Sequence, residues 1–332
     1  MKKRPVIVVA PNAFKETFSP VEAVRLISRG LRRALDARIV PIPVADGGDG
    51  TLEALRSSLG GRKVFVRVTG PLGTPVRAYY LRAGRTAVIE MAKASGLKLV
   101  PPERRDPLVT TTRGTGELIA HAYARGARRI LLGVGGSATV DGGAGALEVV
   151  TPAMARCITI LCDVENPLLG PRGAARVFGP QKGATPEKVR ILERRLTEWA
   201  AELKRRTGVD VRRVKGTGAA GGLPAGLIAY GAKLVRGAEY ILRRAGFPRP
   251  CHFVVTGEGC VDRTSLGGKV VGTILKLSPA PVVLVCGRCD LRKLAFETGD
   301  RAPEALVRAA EWAGRWIQAR FSRAKGRPRP GR

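Results

Sequence analysis

The sequence predicts an α/β protein built from two α/β domains, one Rossmann- or flavodoxin-like and discontinuous, the other inserted into it. Runs of β-branched residues alternate with helical patterns towards both ends of the 332-residue chain, which is typical of parallel βαβ units. Between residues 62 and 91 the pattern changes to three short alternating runs separated by turns, which predicts an antiparallel meander. The expected limits are 1–62 with 253–320 for the discontinuous domain, 63–252 for the inserted domain and 321–332 for a basic, disordered tail.

The first strand and helix of this pattern are joined by a long loop. Residues 6–10 form an apolar strand, and the run Ser19-Pro20-Val21-Glu22 predicts the start of a helix, because it combines an N-cap, a proline at the first helical position and a capping-box glutamate. The segment between them exceeds the usual length of such connections, which indicates a ligand loop. Lys15 lies in this loop, where it could hold an anionic substrate or remain a solvated lysine.

The second strand opens onto a loop with two carboxylates. Residues 38–44 form a β-branched run and a helical pattern begins near Leu52, so Asp46 and Asp49 lie among glycines between a strand and a helix. Ligands of open α/β sheets bind outside the carboxyl ends of strands, and glycine lets the backbone come close to a ligand. Two interpretations stay open on this pattern: a functional loop, or a turn at Asp46 followed by a helix cap at Asp49 or Gly50.

Two later strands also end in glycine-rich loops that carry carboxylates. A helix over 115–125 and a strand over 129–132 precede the loop 133–145, which contains Asp141. A strand over 253–256 opens onto the loop 257–269, which contains Glu258, Asp262 and Lys269. The other expected elements are a strand over 158–162, a long amphipathic helix from residue 185, a last strand over 282–285 and a last helix over 303–321.

The composition excludes several classes of protein. The net charge of +31 attracts anionic substrates and, non-specifically, nucleic acid, but the basic residues are spread along the chain and aromatic residues are scarce, so no dedicated nucleic-acid surface is expected. No apolar run is long enough to cross a membrane, and the amino end lacks the pattern of a signal peptide, so we expect a cytoplasmic protein. Six cysteines and two histidines make neither a disulfide scaffold nor a zinc site, although Cys286 and Cys289 form a C-x-x-C pair.

The glycine-rich loops favour phosphoryl transfer over other chemistries. Segments 133–138 and 216–221 match the dinucleotide fingerprint formally, yet this pattern arises easily in a chain with 42 glycines. A Walker A loop is absent, and neither histidine lies near a serine elbow. Phosphoryl transfer needs amides and cations around phosphate, carboxylates for Mg²⁺ and a carboxylate for the acceptor proton, and the loops at the strand ends offer all of these.

Seven motifs, in order along the chain, resemble those of the bacterial glycerate kinases of the first type. They are Asn12-Ala-Phe-Lys15, Ala45-Asp-Gly-Gly-Asp-Gly-Thr51, Gly135-Gly-Ser-Ala-Thr-Val-Asp-Gly-Gly143, Cys162-Asp-Val-Glu-Asn-Pro-Leu168, Gly179-Pro-Gln-Lys-Gly183, Gly218-Ala-Ala-Gly-Gly222, and Thr256-Gly-Glu-Gly-Cys-Val-Asp262 with Gly268-Lys269. The resemblance spans residues 6–288. It implies phosphorylation of D-glycerate with ATP and Mg²⁺, at the 2-hydroxyl to give 2-phosphoglycerate, with 3-phosphoglycerate left open. Glycerate and ATP are then the small-molecule partners, and a homodimer is left open.

The resemblance also implies roles for individual residues. Lys15 would hold the glycerate carboxylate, and Asp46 would be the general base or a Mg²⁺ ligand. The implied set is catalytic Lys15, Asp46 and Asp262, substrate-binding Asn12, Lys15, Asp49 and Glu258, phosphate-binding Gly135, Gly136, Ser137 and Lys269, and metal-binding Asp46, Asp141 and Glu258. Because Asp49 is also placed to cap the following helix, Asp46 is the sharper candidate in that loop.

The chain departs from the family pattern at three places. Asn12-Ala-Phe-Lys-Glu16 stands where the family usually has Asp-Ser-Phe-Lys-Gly, and Asp49 stands where glutamate is commoner. Between residues 146 and 158 the chain is shortened relative to the family. The shortening leaves an inactive or re-purposed kinase homologue as an alternative, and the net charge leaves a basic nucleic-acid-binding protein as another.

Overall fold

The computed structural model describes residues 4–14, 17–291 and 294–325, and it has the α/β fold class that the sequence predicts. Two compact units divide the chain. The terminal unit consists of Met1–Ala45 and Ile241–Arg332, and the central unit consists of Asp46–Tyr240. Each unit has its own β-sheet and its own hydrophobic core.

The described residues form strands and helices that alternate over most of the chain. The strands are β1 (Val6–Val9), β2 (Arg38–Pro41), β3 (Arg62–Thr69), β4 (Pro75–Ala83), β5 (Thr86–Glu90), β6 (Arg129–Gly133), β7 (Ile158–Leu161), β8 (Lys233–Val235), β9 (Phe253–Thr256), β10 (Cys260–Val261), β11 (Val282–Cys286), β12 (Arg288–Cys289) and β13 (Ala295–Glu297). The α-helices are α1 (Pro20–Ala34), α2 (Thr51–Leu59), α3 (Ala92–Ser95), α4 (Arg113–Ala124), α5 (Ala144–Leu147), α6 (Pro152–Ala155), α7 (Ala174–Phe178), α8 (Pro186–Thr207), α9 (Leu223–Ala229), α10 (Gly237–Arg244), α11 (Val270–Leu277) and α12 (Pro303–Lys325). Short 3-10 helices occupy Leu97–Leu99, Pro102–Arg104, Pro180–Lys182, Ala219–Gly222 and Arg263–Leu266.

The terminal unit is built on a five-stranded parallel sheet with the order β13-β11-β9-β1-β2. Helix α1 begins as expected, since Ser19 Oγ accepts the N–H of Glu22 and the Glu22 side chain accepts the N–H of Ser19. α1 packs against α12 over the apolar strands. Parallel pairing brings the carboxyl ends of β1 and β9 to one edge, where the N–H of Asn12 donates to the carbonyl of Gly257 (2.9 Å).

The central unit is built on a six-stranded sheet with the order β3-β4-β5-β6-β7-β8. β3, β4 and β5 form the antiparallel meander that the alternating pattern predicts, whereas β5 to β8 pair in parallel. Helix α8 follows its predicted apolar stripe and buries Leu192, Leu196 and Leu203. The carboxyl ends of β6 and β7 therefore lie side by side, each followed by a glycine- or proline-rich loop.

The limits of the two units differ from the domain limits expected at residues 62 and 252. Helix α2, expected in the discontinuous domain, packs against β4 and β5. The N–H of Leu52 also donates to Oε1 of Glu90, at the end of β5 (2.8 Å). Helix α10 crosses the second limit, which falls between Tyr240 and Ile241. The local pattern locates an element but does not say which sheet it covers, so the sequence placed α2 with its chain neighbours.

The carboxyl-terminal part also differs from the expectation. α12 continues to Lys325, so residues 321–325 are helical rather than part of a disordered tail, while 326–332 lie outside the described residues. β12 and β13 follow the strand that the sequence predicts as the last. At two and three residues these strands are too short to show an alternating pattern.

Candidate active site

Two glycine loops pack backbone to backbone at the carboxyl edge of the central sheet. The N–H of Gly135, after β6, donates to the carbonyl of Gly47 (2.9 Å). Gly47 has φ +95°, and a Cβ there would lie 2.1 Å from the carbonyl oxygen of Leu161, at the end of β7. A Cβ on Gly135 would lie 2.4 Å from Cα of Gly48. Only glycine allows this approach, which brings the Asp46 loop onto the ends of both strands.

Asp46 and Asp163 form a pair of carboxylates at this edge. Asp46 is partly exposed, and its Oδ1 accepts the N–H of Gly48 (3.1 Å). Asp163, after β7, is 8% exposed, and its Oδ2 accepts the N–H of Ala238 at the start of α10 (3.0 Å). Burial, together with the negative charge of Asp46, raises the pKa of Asp163 to about 7, although the hydrogen bond from Ala238 opposes the rise. Within the described residues Oδ1 of Asp163 has no hydrogen-bond partner, so this carboxylate can still bind a proton or a cation.

Of the two residues considered as the cap of α2, Asp49 does not take this position. The N-cap residue is Gly50, at φ 89°, and it makes no side-chain cap bond. The buried carboxylate of Glu90 takes that role through the N–H of Leu52, and Lys93 pairs with it at 3.3 Å. Asp49 is exposed and pairs with Lys98 (2.7 Å). Sequence reasoning missed Glu90, although an acidic residue that ends an apolar strand is a usable signal.

The loop after β6 presents two free backbone donors. Gly136 is exposed at φ +73°, and neither its N–H nor that of Ser137 has a protein acceptor among the described residues. The N–H of Gly135, expected at phosphate, instead binds Gly47. Oδ1 of Asp49 lies 3.7 Å from the position that a Cβ on Gly136 would take. Two adjacent free N–H groups form a site suited to an anion.

Lys182, in the 3-10 helix Pro180–Lys182, contacts this loop although it lies 45 residues later in the chain. Its Nζ donates to Oγ of Ser137 and to the carbonyl oxygen of Thr139, both at 2.7 Å. Lys182 is 2% exposed, and burial lowers its pKa to about 7 although Asp141 opposes the shift. In the sequence analysis Lys182 is part of the motif Gly179-Pro-Gln-Lys-Gly183 and has no assigned role.

Asp141 holds the same loop in shape. Its oxygens accept the N–H and hydroxyl of Thr112 (2.8 and 2.7 Å) and the N–H groups of Gly143 and Gly145 (3.1 and 3.3 Å). Burial raises the pKa of Asp141, and these four hydrogen bonds oppose the rise. Four protein donors leave this carboxylate little capacity for a metal ion.

A second group of the expected residues lines a cavity of about 540 Å³ in the terminal unit. Glu258 is buried there, and Nδ2 of Asn12 donates to its Oε2 at 3.4 Å. Phe14 and Phe18, in the long loop after β1, also line the cavity. Lys15 belongs to this loop but lies outside the described residues.

Asp262 and Lys269 line the same cavity and are bound within their own turn. Oδ1 of Asp262 caps the 3-10 helix Arg263–Leu266 by accepting the N–H groups of Thr264 (2.7 Å) and Ser265 (3.0 Å). Bonds from Thr264 and Ser265 hold the pKa of Asp262 below its ordinary value. Nζ of Lys269 donates to Oγ1 of Thr264 (3.3 Å). Asp262 is thus a helix cap that keeps Oδ2 without a partner among the described residues.

The expected site residues therefore fall into two groups. The central unit holds Asp46, Asp49, Gly135, Gly136, Ser137 and Asp141, and the terminal unit holds Asn12, Glu258, Asp262 and Lys269. The described part of the chain contains no cluster of three or more histidine, cysteine, aspartate or glutamate side chains with metal-binding geometry. Among the same residues, no helix is long and apolar enough to cross a bilayer.

Known proteins resemble this chain over most of its length. The model of the Glycerate kinase family matches residues 7–156 and 148–311. The chain is 42% identical to Glycerate 2-kinase of Escherichia coli (strain K12) over 322 residues, which cover 85% of this chain and 84% of that protein. It is 41% identical to Glycerate kinase of Halalkalibacterium halodurans over 343 residues, which cover 91% and 90%. A crystal structure of a candidate glycerate kinase 2 from Salmonella typhimurium LT2 matches with a TM-score of 0.81 and 37% identity, over 97% of this chain and 100% of that one.

The stretch expected to be shortened connects β6 to β7. The two segments of the family match overlap at 148–156, where the four-residue helix α6 lies, directly after the four-residue helix α5. β7 nevertheless pairs with β6 in parallel, from Ile130↔Ile158 to Gly133↔Leu161. A short connection is therefore compatible with the strand order that places Asp163 beside the Gly47 loop.

The resemblance that the motifs indicated is confirmed by the family match and by relatives about 40% identical over most of the chain. The relatives are named as kinases of glycerate, so the enzyme class that the glycine-rich loops favoured is confirmed as well. The chain belongs to the glycerate kinase family.

Proposed function

We propose that the chain transfers the γ-phosphoryl group of ATP to the 2-hydroxyl of D-glycerate and releases ADP and 2-phosphoglycerate. The observation that carries the proposal is the glycine-rich edge of the central unit. There the partly exposed Asp46 and the free N–H groups of Gly136 and Ser137 lie in loops that touch each other. The choice of the 2-hydroxyl is supported by the relative from Escherichia coli, which is named Glycerate 2-kinase.

Asp46 is the general base of this proposal. The 2-hydroxyl proton passes to the Asp46 carboxylate as the hydroxyl oxygen forms a bond to the γ-phosphorus, and the bond from that phosphorus to the bridging oxygen of ADP breaks. The N–H of Gly48 binds Oδ1, which orients the carboxylate. Gly136 and Ser137 would donate to phosphate oxygens through their N–H groups, as the resemblance implies. Lys269 keeps the role of neutralising phosphate charge that the resemblance implies.

The terminal-unit cavity holds residues to which the resemblance assigns substrate binding. Asn12 and Glu258 line it or lie against it, and both offer polar atoms to the hydroxyl groups of a small hydroxy acid. Asp262 is kept as a catalytic candidate through Oδ2, because Oδ1 is engaged in its own turn. Lys15 and Asp49 stay in the proposal with the roles that the resemblance implies.

Among the carboxylates of the central edge, Asp163 is a better candidate ligand of Mg²⁺ than Asp141, which the resemblance implies. Oδ1 of Asp163 is buried without a protein partner in the described residues, and the Asp46 carboxylate lies beside it. Asp141 fits less well, because four protein donors already bind its oxygens. When bound, Mg²⁺ offsets the negative charge of the phosphates, and it usually takes its other ligands from phosphate and water. We therefore propose Asp163 as a protein ligand of Mg²⁺, with Glu258 kept from the resemblance and with Asp46 as the alternative ligand if it is not the general base.

The proposal is tested by ADP release coupled to D-glycerate, with ATP and Mg²⁺ supplied, followed by NMR of the product. Glycerate-dependent turnover with phosphorus coupled to the proton on carbon 2 is the expected result. Coupling to carbon 3 would replace 2-phosphoglycerate by 3-phosphoglycerate. No turnover with a folded protein would favour the inactive or re-purposed homologue, and salt-sensitive DNA binding without turnover would favour the nucleic-acid-binding alternative. A homodimer stays a hypothesis that static light scattering can test.

A further inference from the structure

The buried amine of Lys182 has no role in the reaction described so far. It lies in the 3-10 helix Pro180–Lys182 and donates to Oγ of Ser137 and the carbonyl oxygen of Thr139, both at 2.7 Å. Lysine side chains are almost never fully buried unless they are paired. At 2% exposure, Lys182 is therefore a feature that packing alone does not explain.

Lys182 has no salt bridge with any described residue of the chain. The acidic group that acts on it is Asp141, whose oxygens already accept four hydrogen bonds from Thr112, Gly143 and Gly145. Ser137 and Thr139 are neutral, so the two bonds of Lys182 satisfy two of its three N–H groups without neutralising its charge. An unpaired buried charge costs folding free energy. A bound anion beside the loop would supply the missing negative charge.

Ser137 connects the amine to the surface of the loop. Its hydroxyl oxygen accepts from Lys182, so its own O–H is available to donate elsewhere. It is 7% exposed and follows the exposed Gly136. The N–H groups of Gly136 and Ser137 have no acceptor among the described residues. Three donors therefore lie on two consecutive residues, and the hydroxyl of one of them is bound to the buried amine.

We propose that Lys182 is the positioning residue of an oxyanion site, in which Ser137 and the N–H groups of Gly136 and Ser137 bind a phosphate or carboxylate group of a substrate. Lys182 does not touch the anion. It fixes the Ser137 hydroxyl with its oxygen towards the amine, and it places one positive charge behind the donors. The inference rests on the proposed function only in its choice of loop, and its test measures binding without turnover.

The first experiment compares Lys182→Met with the wild type by thermal unfolding and by calorimetric titration with tripolyphosphate, ATP and D-glycerate, each alone. Methionine keeps most of the side-chain volume and removes the charge and the donors. We expect the melting temperature of the free variant to equal or exceed that of the wild type, because a buried charge is lost. We expect its affinity for the anion to fall at least tenfold.

The arms identify the anion. If Lys182→Met loses affinity for tripolyphosphate and ATP, the site binds phosphate. If it loses affinity for D-glycerate alone, the site binds carboxylate. The control is Lys188→Met, which removes a half-exposed lysine of the same unit that pairs with Asp106 and should leave all three affinities unchanged. A variant with a lower melting temperature and wild-type affinities for all three ligands would overturn the proposal, since Lys182 would then be structural.

A second variant keeps the inference testable if methionine prevents folding. Ser137→Ala removes one hydroxyl from the loop and should lower the affinity for the same anion several-fold. If Lys182→Met folds, the losses of affinity from Lys182→Met and Ser137→Ala should not add in the double variant, because Lys182 acts through Ser137. Full additivity, or unchanged binding in Ser137→Ala, would contradict the assigned route.

Discussion

The carboxyl edge of the central unit and the cavity of the terminal unit hold their proposed site residues in different ways. At the central edge Lys182, Asp163 and Glu90 are buried, and their partners come from distant parts of the sequence. In the terminal cavity Asp262 and Lys269 are bound by Thr264 and Ser265, their neighbours in the same turn. The central group depends on tertiary packing, whereas Asp262 and Lys269 do not, although the contact of Asn12 with Glu258 in the same cavity also joins distant parts of the chain.

The difference separates groups that a ligand must stabilise from groups that are stable without one. Burying Lys182 and one oxygen of Asp163 costs free energy in the unliganded protein, whereas capping a turn with Asp262 stabilises it. We infer that the central edge supplies the preorganised charges of the reaction, and that the terminal cavity supplies adaptable contacts to substrate. Removing a central group should therefore have the larger effect on turnover.

The largest effect is expected for Asp46→Asn. Loss of the general base should lower kcat for D-glycerate by about 10²–10⁴-fold, with the melting temperature little changed, because asparagine can still accept the N–H of Gly48. The coupled ADP assay measures it. Asp49→Asn, in the same loop but exposed and paired with Lys98, is the matched control and should lose far less. Equal losses in the two variants would remove the distinction between these carboxylates.

The next effect is on stability, for Gly47→Ala. A Cβ at φ +95°, only 2.1 Å from the carbonyl oxygen of Leu161, should lower the free energy of unfolding by roughly 2–5 kcal/mol and displace the Asp46 loop. Gly60→Ala is the control, since Gly60 also has positive φ but no heavy atom within 4 Å, and it should cost about 1–2 kcal/mol. Urea unfolding of both variants makes the comparison. Similar costs would mean that the two loops do not pack as described.

The pH dependence of stability should identify the buried amine. Burial lowers the pKa of Lys182 to about 7, against an ordinary value of 10.5 in the unfolded chain. Between these two values the unfolded chain binds a proton that the folded chain does not, so this group makes stability rise with pH. Lys182→Met should therefore be more stable than the wild type near pH 7, and the difference between their free energies of unfolding should become smaller towards pH 10. Urea unfolding across this range measures it, and a constant difference would contradict the burial of the charge.

The smallest effect is expected for Asp262→Asn. Asparagine is as good an N-cap as aspartate, so the turn from Arg263 to Leu266 should keep its stability while the charge is lost. We expect a rise in KM or a fall in kcat on the order of tenfold, well below the loss for Asp46→Asn. Steady-state kinetics of the two variants, side by side, test the comparison. A loss as large as that of Asp46→Asn would place essential chemistry in the terminal cavity.

Local signals in the sequence were sufficient for much of the fold. The capping box at Ser19, the meander over 62–91 and the amphipathic pattern of α8 predict elements that the structure contains, because each depends on residues close in the chain. The limits of the two compact units and the extent of α12 differ from the expected ones, because each depends on what an element packs against. Glu90 as the cap of α2 escaped prediction for the same reason, since it lies 38 residues from Leu52.

The sequence by itself determined the family and the glycine-rich loops at strand ends, because motif order and turn-forming residues depend only on the order of residues along the chain. It also named Asp46, Ser137 and Asp262, but it could not rank them. Only the tertiary structure decided that the Gly47 loop lies on the ends of β6 and β7, that Asp163 shares this edge with Asp46, and that Lys182 is buried behind Ser137. The burial of a group and its contacts with segments far away in the sequence determine the charge environment of a site. Neither can be predicted from the local pattern of residues.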